Sequence, residues 1–293
     1  MDEPGFMGST RVAVLGLGLM GGSLALALRG RCRALLGIDP DPAVLSLAAE
    51  MELADQLSAS APDLLAQADL VILATPVHTI LRLLEDLPGL HPGRAVVLDL
   101  GSTKAEVVRA MQRLPERFDP LGGHPMCGKE HSSLALAEAA LFCGAPFALT
   151  PCERTSDHAR RLAEELVTLL GSHPLWLSAE THDRWVTATS QLPYLIANAL
   201  LAVTPAEAAP LIGPGFRSTS RTGATSPQVM ADALATNRPN ALEALRGFRR
   251  RLDLLEAQLA GADQAGLLAT LEQGAAARRT LLDLADHGET TCN

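Results

Sequence analysis

Three glycines lie between a short apolar run and an apolar helical run near the start of the chain. Gly16, Gly18 and Gly21 have the spacing G-x-G-x-x-G. The first glycine permits a tight turn, the second lets a pyrophosphate approach the backbone, and the third allows a helix to pack closely on a strand. The spacing predicts a strand, a turn and a helix that binds a dinucleotide at its N terminus, with Leu19 and Met20 among the cofactor-binding residues.

A carboxylate follows the second predicted strand at the distance typical of dinucleotide-binding folds. Asp39 lies 18 residues beyond Gly21, where it can bind the ribose hydroxyls and would repel a 2′-phosphate, so NAD is predicted over NADP. Two further strand ends, Thr75-Pro76 and residues 101–104, are expected to face the same cofactor. Ligands of open α/β sheets bind at the carboxyl ends of the strands.

Apolar runs alternate with amphipathic stretches throughout the first half of the chain. Because these runs are apolar on both faces, they predict a parallel sheet covered by helices on both sides. The predicted strands are 11–18, 34–39, 69–77, 95–102 and 144–151. The predicted fold class is therefore α/β, with an N-terminal Rossmann-type domain.

The pattern changes from about residue 156, where apolar residues recur every three or four positions. The predictions for this part are helices over 157–171 and 179–204, a loop over 210–227, and long helices over 241–285 interrupted near Gly261 and Gly274. We predict a disordered tail over 1–10, a NAD-binding Rossmann domain over 11–155 and an all-α domain over 156–293. The apolar stripes of the last domain predict a homodimer that forms through its helices.

The composition argues against several other classes of protein. The net charge of −9 disfavours nucleic acid as a partner, because phosphate binding requires a clustered basic surface. The five cysteines are odd in number and match no C-x-x-C or zinc spacing, so we expect free thiols and no metal. Without a signal-peptide pattern or an uninterrupted apolar stretch of roughly 18 residues, the chain is predicted to be cytoplasmic and free of membrane contact.

Lysine is rare in this chain. The 24 basic residues are arginines apart from Lys104 and Lys129. A bias of this kind would have tolerated arginine wherever only a positive charge was needed. The two lysines are therefore candidates for a more specific task.

A segment rich in glycine and proline, residues 122–131, carries a histidine between Gly123 and Pro125. Removal of hydride from an alcohol-like carbon requires a group that takes the hydroxyl proton, and histidine suits this task near neutral pH. We interpret the segment as a shaped loop and His124 as the candidate base.

Eight blocks of sequence carry a more specific signal. They are residues 16–23, 101–104, 123–130, 142–151, 182–183, 190–193, 215–217 and 219–221. In order and spacing these blocks resemble the prephenate/arogenate dehydrogenase family, over about residues 11–240. The resemblance implies NAD-dependent oxidative decarboxylation of prephenate to 4-hydroxyphenylpyruvate, or of arogenate to tyrosine, in tyrosine biosynthesis.

The resemblance also implies roles for individual residues. His124 is similar to a catalytic histidine that hydrogen-bonds the substrate ring hydroxyl, and Ser102 to a serine that contacts this histidine and the hydroxyl beside the cofactor. Arg221 occupies the position of an arginine that binds a substrate carboxylate, where a planar bidentate donor is apt. Glu130 matches an acidic residue at the pocket mouth, and the adjoining Lys129 is included among the substrate-binding residues.

A second histidine and several departures from the family pattern concern the substrate. His182 matches a family histidine near the substrate, although it could equally be a helix-start residue adjoining Asp183. Gln191 and Tyr194 replace the two histidines of the S-H-L-P-H motif that many prephenate-using members carry, and Ser218 replaces an aspartate. Gln191 and Tyr194 are expected to line the pocket near the substrate side chain. Their neutrality would favour the cationic side chain of arogenate, so both substrates stay open.

Two alternatives compete with this hypothesis. A β-hydroxyacid-type dehydrogenase has a similar two-domain build and typically uses a lysine on a helix of its C-terminal domain as acid and base. This chain has no lysine beyond residue 129, which argues against that class. A non-catalytic NAD sensor would need no catalytic residues, whereas the residues matching the catalytic positions are all present. Fold similarity alone would not distinguish these functions.

Overall fold

The computed structural model describes residues 6–60, 62–129 and 132–286. The strands are β1 (Arg11–Leu15), β2 (Ala34–Ile38), β3 (Gln56–Ser58), β4 (Leu70–Leu73), β5 (Ala95–Asp99), β6 (Phe118–Pro125), β7 (Pro146–Pro151) and β8 (His173–Trp176). They form one sheet in the order β3-β2-β1-β4-β5-β6-β7-β8. β1 to β6 are parallel, β7 is antiparallel to β6, and β8 is parallel to β7. The prediction of a Rossmann-type sheet is confirmed.

Helices cover both faces of this sheet. They are α1 (Phe6–Ser9), α2 (Leu19–Leu28), α3 (Pro42–Glu50), α4 (Pro62–Leu65), α5 (Val77–Leu90), α6 (Ala105–Met111) and α7 (Asp157–Leu169). Alternate residues of β1 belong to two separate buried clusters, with Val12 in the cluster that contains Leu24 of α2 and Ala13 in the one that contains Ile80 of α5. Side chains of a strand alternate between faces, so a sheet with two buried faces requires the continuous apolar runs seen in the sequence.

His124 lies in β6 and not in a loop, contrary to the prediction for residues 122–131. β6 is hydrogen-bonded to β5 on one side and to β7 on the other. A Cβ atom on Gly123 would lie 2.8 Å from the carbonyl oxygen of Asp99 and 2.9 Å from the ring of Phe147. Glycine is therefore needed here for close packing within a sheet, a requirement that resembles a turn signal in the sequence.

The sheet continues beyond the predicted domain boundary at residue 155/156. α7 packs its buried face, including Leu162, on the sheet, and β8 pairs with β7. The prediction missed β8 because this edge strand is partly exposed and contains Pro174, so it lacks an apolar run. We place the end of the sheet domain after Trp176.

The C-terminal part is helical throughout its described length, as predicted. Its helices are α8 (Ala179–Val186), α9 (Leu192–Val203), α10 (Pro214–Ser220), α11 (Pro227–Thr236), α12 (Arg238–Ala260) and α13 (Gln264–Asp286). A π-helical turn, Thr187–Gln191, joins α8 to α9 without a break. The predicted break near Gly261 is confirmed, since α12 ends there, but the break near Gly274 is wrong because α13 continues through it.

The predicted loop over 210–227 is also wrong in large part. Pro214 begins α10 at a position where its missing N–H costs nothing, and the hydroxyl of Thr219 donates back to the carbonyl of Gly215 at 2.9 Å. A short 3₁₀ turn, Arg221–Ala224, follows directly. Glycine, proline and hydroxyl residues thus serve as helix starts and internal donors here, which composition alone does not distinguish from a loop.

Residues 6–9 of the predicted disordered tail form α1, so that prediction is wrong for this stretch. The side chain of Met7 is fully buried, its backbone N–H donates to Glu165 Oε1 at 3.2 Å, and the hydroxyl of Thr10 donates to the carbonyl of Phe6 at 2.6 Å. One buried apolar residue is sufficient to fix this short segment on α7. Residues 1–5 lie outside the described residues.

One continuous helix in the described part of the chain, Ala179–Val203, has the length and composition of a membrane span. Pro193 interrupts this stretch in the sequence, as expected, but it sits near the start of α9 and does not end the helix. This helix nevertheless buries His182, Asp183 and Gln191, whose polar groups are bonded to other parts of the protein.

Candidate active site

The glycine-rich turn lies at the carboxyl end of β1. Gly16 has φ +95°, a conformation that favours glycine, and a Cβ atom on it would lie 2.6 Å from Thr75 Cγ2. A Cβ atom on Gly21 would overlap the carbonyl oxygen of Gly16. α2 begins at Leu19, and no described side chain caps its N terminus. The free N–H groups of this helix end form a site for a phosphate group.

Two polar side chains flank the turn. The Asp39 carboxylate at the end of β2 accepts hydrogen bonds from the N–H groups of Leu17 at 2.8 Å and Asp41 at 3.0 Å. The carboxylate is therefore held beside the turn, in the position predicted for binding the ribose hydroxyls. The hydroxyl of Thr75 is buried and has no hydrogen-bond partner among the described residues. A buried polar atom without a partner at this strand end fits a site that a bound dinucleotide completes.

A segment after β6 folds across the start of α2. Leu134 packs where a side chain on Gly22 would lie, and the N–H of Glu138 donates to Ser23 Oγ at 3.0 Å. Lys129 holds this segment, since its Nζ donates to the carbonyl of Leu136 at 2.9 Å and forms an ion pair with Glu138 at 3.0 Å. Lys129 is thus bonded to other residues of the protein. Glu130, which is predicted to lie at the pocket mouth, lies outside the described residues.

Three side chains form a hydrogen-bonded chain at the carboxyl edge of the sheet. His124 Nδ1 lies 2.9 Å from His182 Nε2, and His182 Nδ1 lies 2.8 Å from Asp183 Oδ1. The two rings meet edge to face with their centroids 5.1 Å apart. Since the carboxylate can only accept, His182 carries its proton on Nδ1 and accepts from the Nδ1–H of His124. His124 therefore presents an unprotonated Nε2, which has no partner among the described residues.

The surroundings of His124 keep it neutral. Burial, the adjacent His182 ring and the positive charge of Lys104 hold the pKa of His124 well below its ordinary value of 6.5. A neutral imidazole with a free Nε2 can accept a proton from a hydroxyl group. Burial also raises the pKa of the Cys127 thiol to about 11, so the nearby cysteine is protonated and does not compete as a nucleophile.

Asp183 connects the two parts of the chain. Besides orienting His182, its carboxylate accepts from the backbone N–H groups of Lys104 at 2.7 Å and Ala105 at 2.9 Å, which begin α6. Its carbonyl oxygen accepts from Asn237 Nδ2 at 2.8 Å. The sequence analysis assigned no separate role to Asp183 and did not single out Asn237, because these partners are far apart along the chain.

A buried ion pair lies beside this chain of residues. Lys104 and Asp99 both have side chains that are 0% exposed, and Lys104 Nζ contacts the Asp99 carboxylate. Burial lowers the pKa of Lys104 and raises that of Asp99, while their mutual attraction opposes both shifts. In the sequence, the rarity of lysine and the block 101–104 marked Lys104, whereas no pattern marked Asp99.

Two further residues that the sequence predicts for the site are Ser102 and Arg221. Ser102 is half-buried just beyond β5, and Arg221 is exposed at the start of its 3₁₀ turn, with no hydrogen bond or ion pair inside the described residues. His182, and not Ser102, is the partner of His124 Nδ1. Both side chains are free to meet a ligand, so their predicted roles stay predictions.

Gln191 is not placed as a substrate-binding residue. Its side chain is buried, and Oε1 accepts from Asn237 Nδ2 at 3.0 Å and from Thr187 Oγ1 at 3.2 Å. Its Nε2 lies 3.5 Å from the carbonyl of Ala233. The Gln191 amide is thus bonded within the helical part. Tyr194, the other residue that replaces a family histidine, is also buried.

A Rossmann-type sheet, a glycine turn with a carboxylate fixed beside it, and a neutral histidine at the same edge are the features of a dinucleotide-dependent dehydrogenase. Two family models match this chain. "Prephenate dehydrogenase, nucleotide-binding domain" matches residues 24–175, and "Prephenate dehydrogenase, dimerization domain" matches residues 178–273. The chain belongs to the prephenate dehydrogenase family.

Individual relatives agree with this assignment. The prephenate dehydrogenase of Bacillus subtilis (strain 168) is 33% identical over 254 residues, which is 83% of this chain and 68% of the relative. A crystal structure of prephenate dehydrogenase from Aquifex aeolicus, in complex with hydroxyphenyl propionate and NAD⁺, has a TM-score of 0.85 at 27% identity and covers 93% of this chain and 98% of that one. Synechocystis arogenate dehydrogenase has a TM-score of 0.79 at 30% identity, covering 92% and 99%.

The fixed carboxylate beside the turn predicts the cofactor preference. Replacing Asp39 with Asn removes the negative charge that would repel a 2′-phosphate while keeping one acceptor for the N–H of Leu17. We expect the ratio of kcat/KM for NAD to that for NADP to fall about tenfold or more, equivalent to about 1.4 kcal/mol. Asp41→Asn is the matched control, because Asp41 caps α3 and asparagine caps equally well. An unchanged ratio in Asp39→Asn would mean that another group distinguishes the two cofactors.

Proposed function

We propose that this chain catalyses the NAD-dependent oxidative decarboxylation of prephenate or arogenate, yielding 4-hydroxyphenylpyruvate or tyrosine. The observation that carries the proposal is the hydrogen-bonded chain His124–His182–Asp183, which leaves His124 Nε2 free at the dinucleotide edge of the sheet. Membership of the family, and similarity to a prephenate dehydrogenase solved with NAD⁺ and to an arogenate dehydrogenase, support both substrates and the cofactor.

The residues around the glycine turn fit NAD. The N terminus of α2 would receive the pyrophosphate, Asp39 the ribose hydroxyls, and the unpartnered Thr75 hydroxyl a polar group of the cofactor. When bound, NAD supplies the acceptor for the hydride that the substrate loses. The protein contributes the alignment of the substrate carbon toward this cofactor.

His124 handles the proton of the reaction. As the ring carbon that bears the hydroxyl loses hydride, Nε2 accepts the hydroxyl proton and a carbonyl forms. The resulting positive charge on His124 is shared through Nδ1–H with His182, whose own ring is supported by the Asp183 carboxylate. The bond to the ring carboxylate then breaks, its electron pair enters the ring, and His124 returns the proton to the phenolate oxygen. Aromatisation makes the decarboxylation favourable.

Substrate orientation falls to side chains that the protein leaves unpaired. Arg221 is exposed on a turn that packs closely on α9, because a side chain on Gly223 would lie 2.7 Å from Leu201 Cδ1. A guanidinium carried on such a closely packed turn can bind a carboxylate with two parallel hydrogen bonds. Ser102, beyond the end of β5, is proposed to bind the ring hydroxyl together with His124.

The direct test is NADH formation by the purified protein with prephenate and with arogenate, each supplied with NAD and with NADP. We expect turnover with NAD and at least one of the two substrates, measured as the absorbance of the NADH that forms. NAD binding without turnover of either substrate would contradict the proposal and favour a dinucleotide sensor. The preferred substrate identifies the side chain that the pocket accommodates.

The neutral state of His124 predicts the pH profile. The base is active when unprotonated, and its lowered pKa places the acid limb of kcat/KM below pH 6.5, so activity is retained as pH falls from 8 to 6.5. His124→Asn should reduce kcat by about 10²- to 10⁴-fold and abolish this limb, with the Kd for NAD nearly unchanged. An equal loss of turnover and NAD affinity would instead indicate structural damage.

We further propose that the protein is a homodimer formed through its C-terminal helices, as the family description of this region suggests. Leucines of α12 and α13 are exposed in the single chain: Leu252, Leu254, Leu259, Leu268, Leu271, Leu281, Leu282 and Leu284. An exposed apolar surface of this extent is typical of a subunit interface. The free thiols of Cys32, Cys127 and Cys152 support the further proposal of a reducing, cytoplasmic location.

Light scattering coupled to size exclusion is expected to give twice the chain mass of 30.8 kDa. Leu268→Glu combined with Leu271→Glu should shift the protein toward monomer, because charge is poorly tolerated in a buried interface. Leu175→Glu, an exposed leucine of β8, is the control and should leave the mass unchanged. A stable monomer of the unmodified protein at micromolar concentration would contradict the proposal.

A further inference from the structure

The buried pair of Asp99 and Lys104 holds the backbone that carries His124. Lys104 Nζ donates to the carbonyl of Gly123 at 2.7 Å, and Asp99 Oδ1 accepts from the N–H of the same glycine at 3.2 Å. Asp99 Oδ2 also accepts from the N–H of Gly101 at 2.7 Å. The two charges thus fix both backbone groups of the residue directly before His124.

Lys104 also supports the other end of the histidine chain. Its backbone N–H donates to Asp183 Oδ1 at 2.7 Å, the oxygen that accepts from His182 Nδ1. One residue therefore bonds the strand that carries His124 through its side chain, and the carboxylate that orients His182 through its main chain. A shift of Lys104 would change the 2.9 Å contact between the two imidazoles from both sides.

Stability alone does not account for this pair. Removing two charges from water is costly, and apolar residues of similar volume often stabilise a core as well or better. Apart from Lys129, the chain otherwise uses arginine for positive charge, yet it retains a lysine at a position that is 0% exposed. The compact ammonium group fits between a carboxylate and a backbone carbonyl, where the wider planar guanidinium would not.

We propose that Lys104, held by Asp99, is a positioning residue that sets the orientation of His124 toward the substrate hydroxyl. This inference rests on the proposed function, in which His124 is the base. Lys104 itself is enclosed by protein and does not contact the substrate, so its contribution is to the rate of the chemical step and not to substrate affinity.

The charge of Lys104 also acts on the pKa of His124. The charged and titratable groups near His124 are Lys104, Asp99 on β5, and His182 with Asp183 on α8. Burial, His182 and Lys104 together lower the pKa of His124. Loss of the Lys104 charge raises this pKa, whereas loss of the Asp99 charge lowers it, so the two effects oppose each other in a variant that loses both charges.

The test uses Lys104→Met with Asp99→Asn in one protein. Methionine keeps the length of the side chain without charge, and asparagine avoids leaving a buried unpaired carboxylate, which would be strongly destabilising. We expect kcat to fall about 10- to 100-fold, the range for residues that orient a primary group. KM and the Kd for NAD should change by less than about threefold. Lys104→Arg should not restore kcat.

His91→Gln is the matched control for a general loss of stability. His91 is also buried and bonded to backbone groups, with Nε2 2.9 Å from the carbonyl of Ala68 and Nδ1 accepting from the N–H of Gly93 at 3.1 Å. It lies before β5, at the opposite edge of the sheet. This variant should lower Tm while kcat and the pH profile stay as in the unmodified protein.

The proposal is overturned if the folded double variant keeps kcat within about twofold of the unmodified protein. A second readout does not depend on turnover. In ¹⁵N-histidine NMR spectra, the tautomer signals of His182 should become mixed in the double variant. If the unmodified protein turns over neither substrate, the proposed reaction fails, while these spectra still decide the positioning role.

Discussion

The carboxylate of Asp183 accepts hydrogen bonds from the first N–H groups of α6 and from the ring of His182. It thereby satisfies a helix end of the sheet domain with a side chain from the helical part, and it sets the tautomer of the histidine chain in the same contact. Thr103 and Thr236, whose hydroxyls lie 2.7 Å apart, join the two parts close to this point. The geometry of the two histidines and the packing of the two parts therefore depend on the same few bonds.

Close backbone approach is the second constraint on the site. Gly16 and Gly21 allow the turn to fold beneath a dinucleotide, and Gly123 allows β6 to pass between Asp99 and Phe147. The first pair was predictable because turn, strand and helix adjoin in sequence and have a known spacing. Gly123 was interpreted as a loop residue, since the groups that enclose it lie on strands that the sequence does not show as neighbours.

The other residues of the site also divide into those that a local pattern predicts and those that depend on contacts between distant parts of the chain. Asp39 could be predicted because its position follows from one βαβ unit, and His124 because a resemblance supplied its role. The bonds of Asp183 to Lys104 and Asn237 span residues far apart in the chain, so no local pattern contains them. β8 and the helix of residues 6–9 were missed for a related reason: each is fixed by contacts with distant elements, and neither has a strong periodicity of its own.

The bonds of Gln191 bear on the preference between prephenate and arogenate. A histidine at this position could carry a charge toward the substrate, whereas the glutamine amide bonds Thr187 and Asn237. Asn237 in turn donates to the carbonyl of Asp183, so Gln191 is linked through Asn237 to the residue that orients His182. A glutamine amide bonded in this way leaves other residues to distinguish a ketone from an ammonium group. Gln191 ends a π-helical turn, Thr187–Gln191, and turns of this kind are frequent at functional sites.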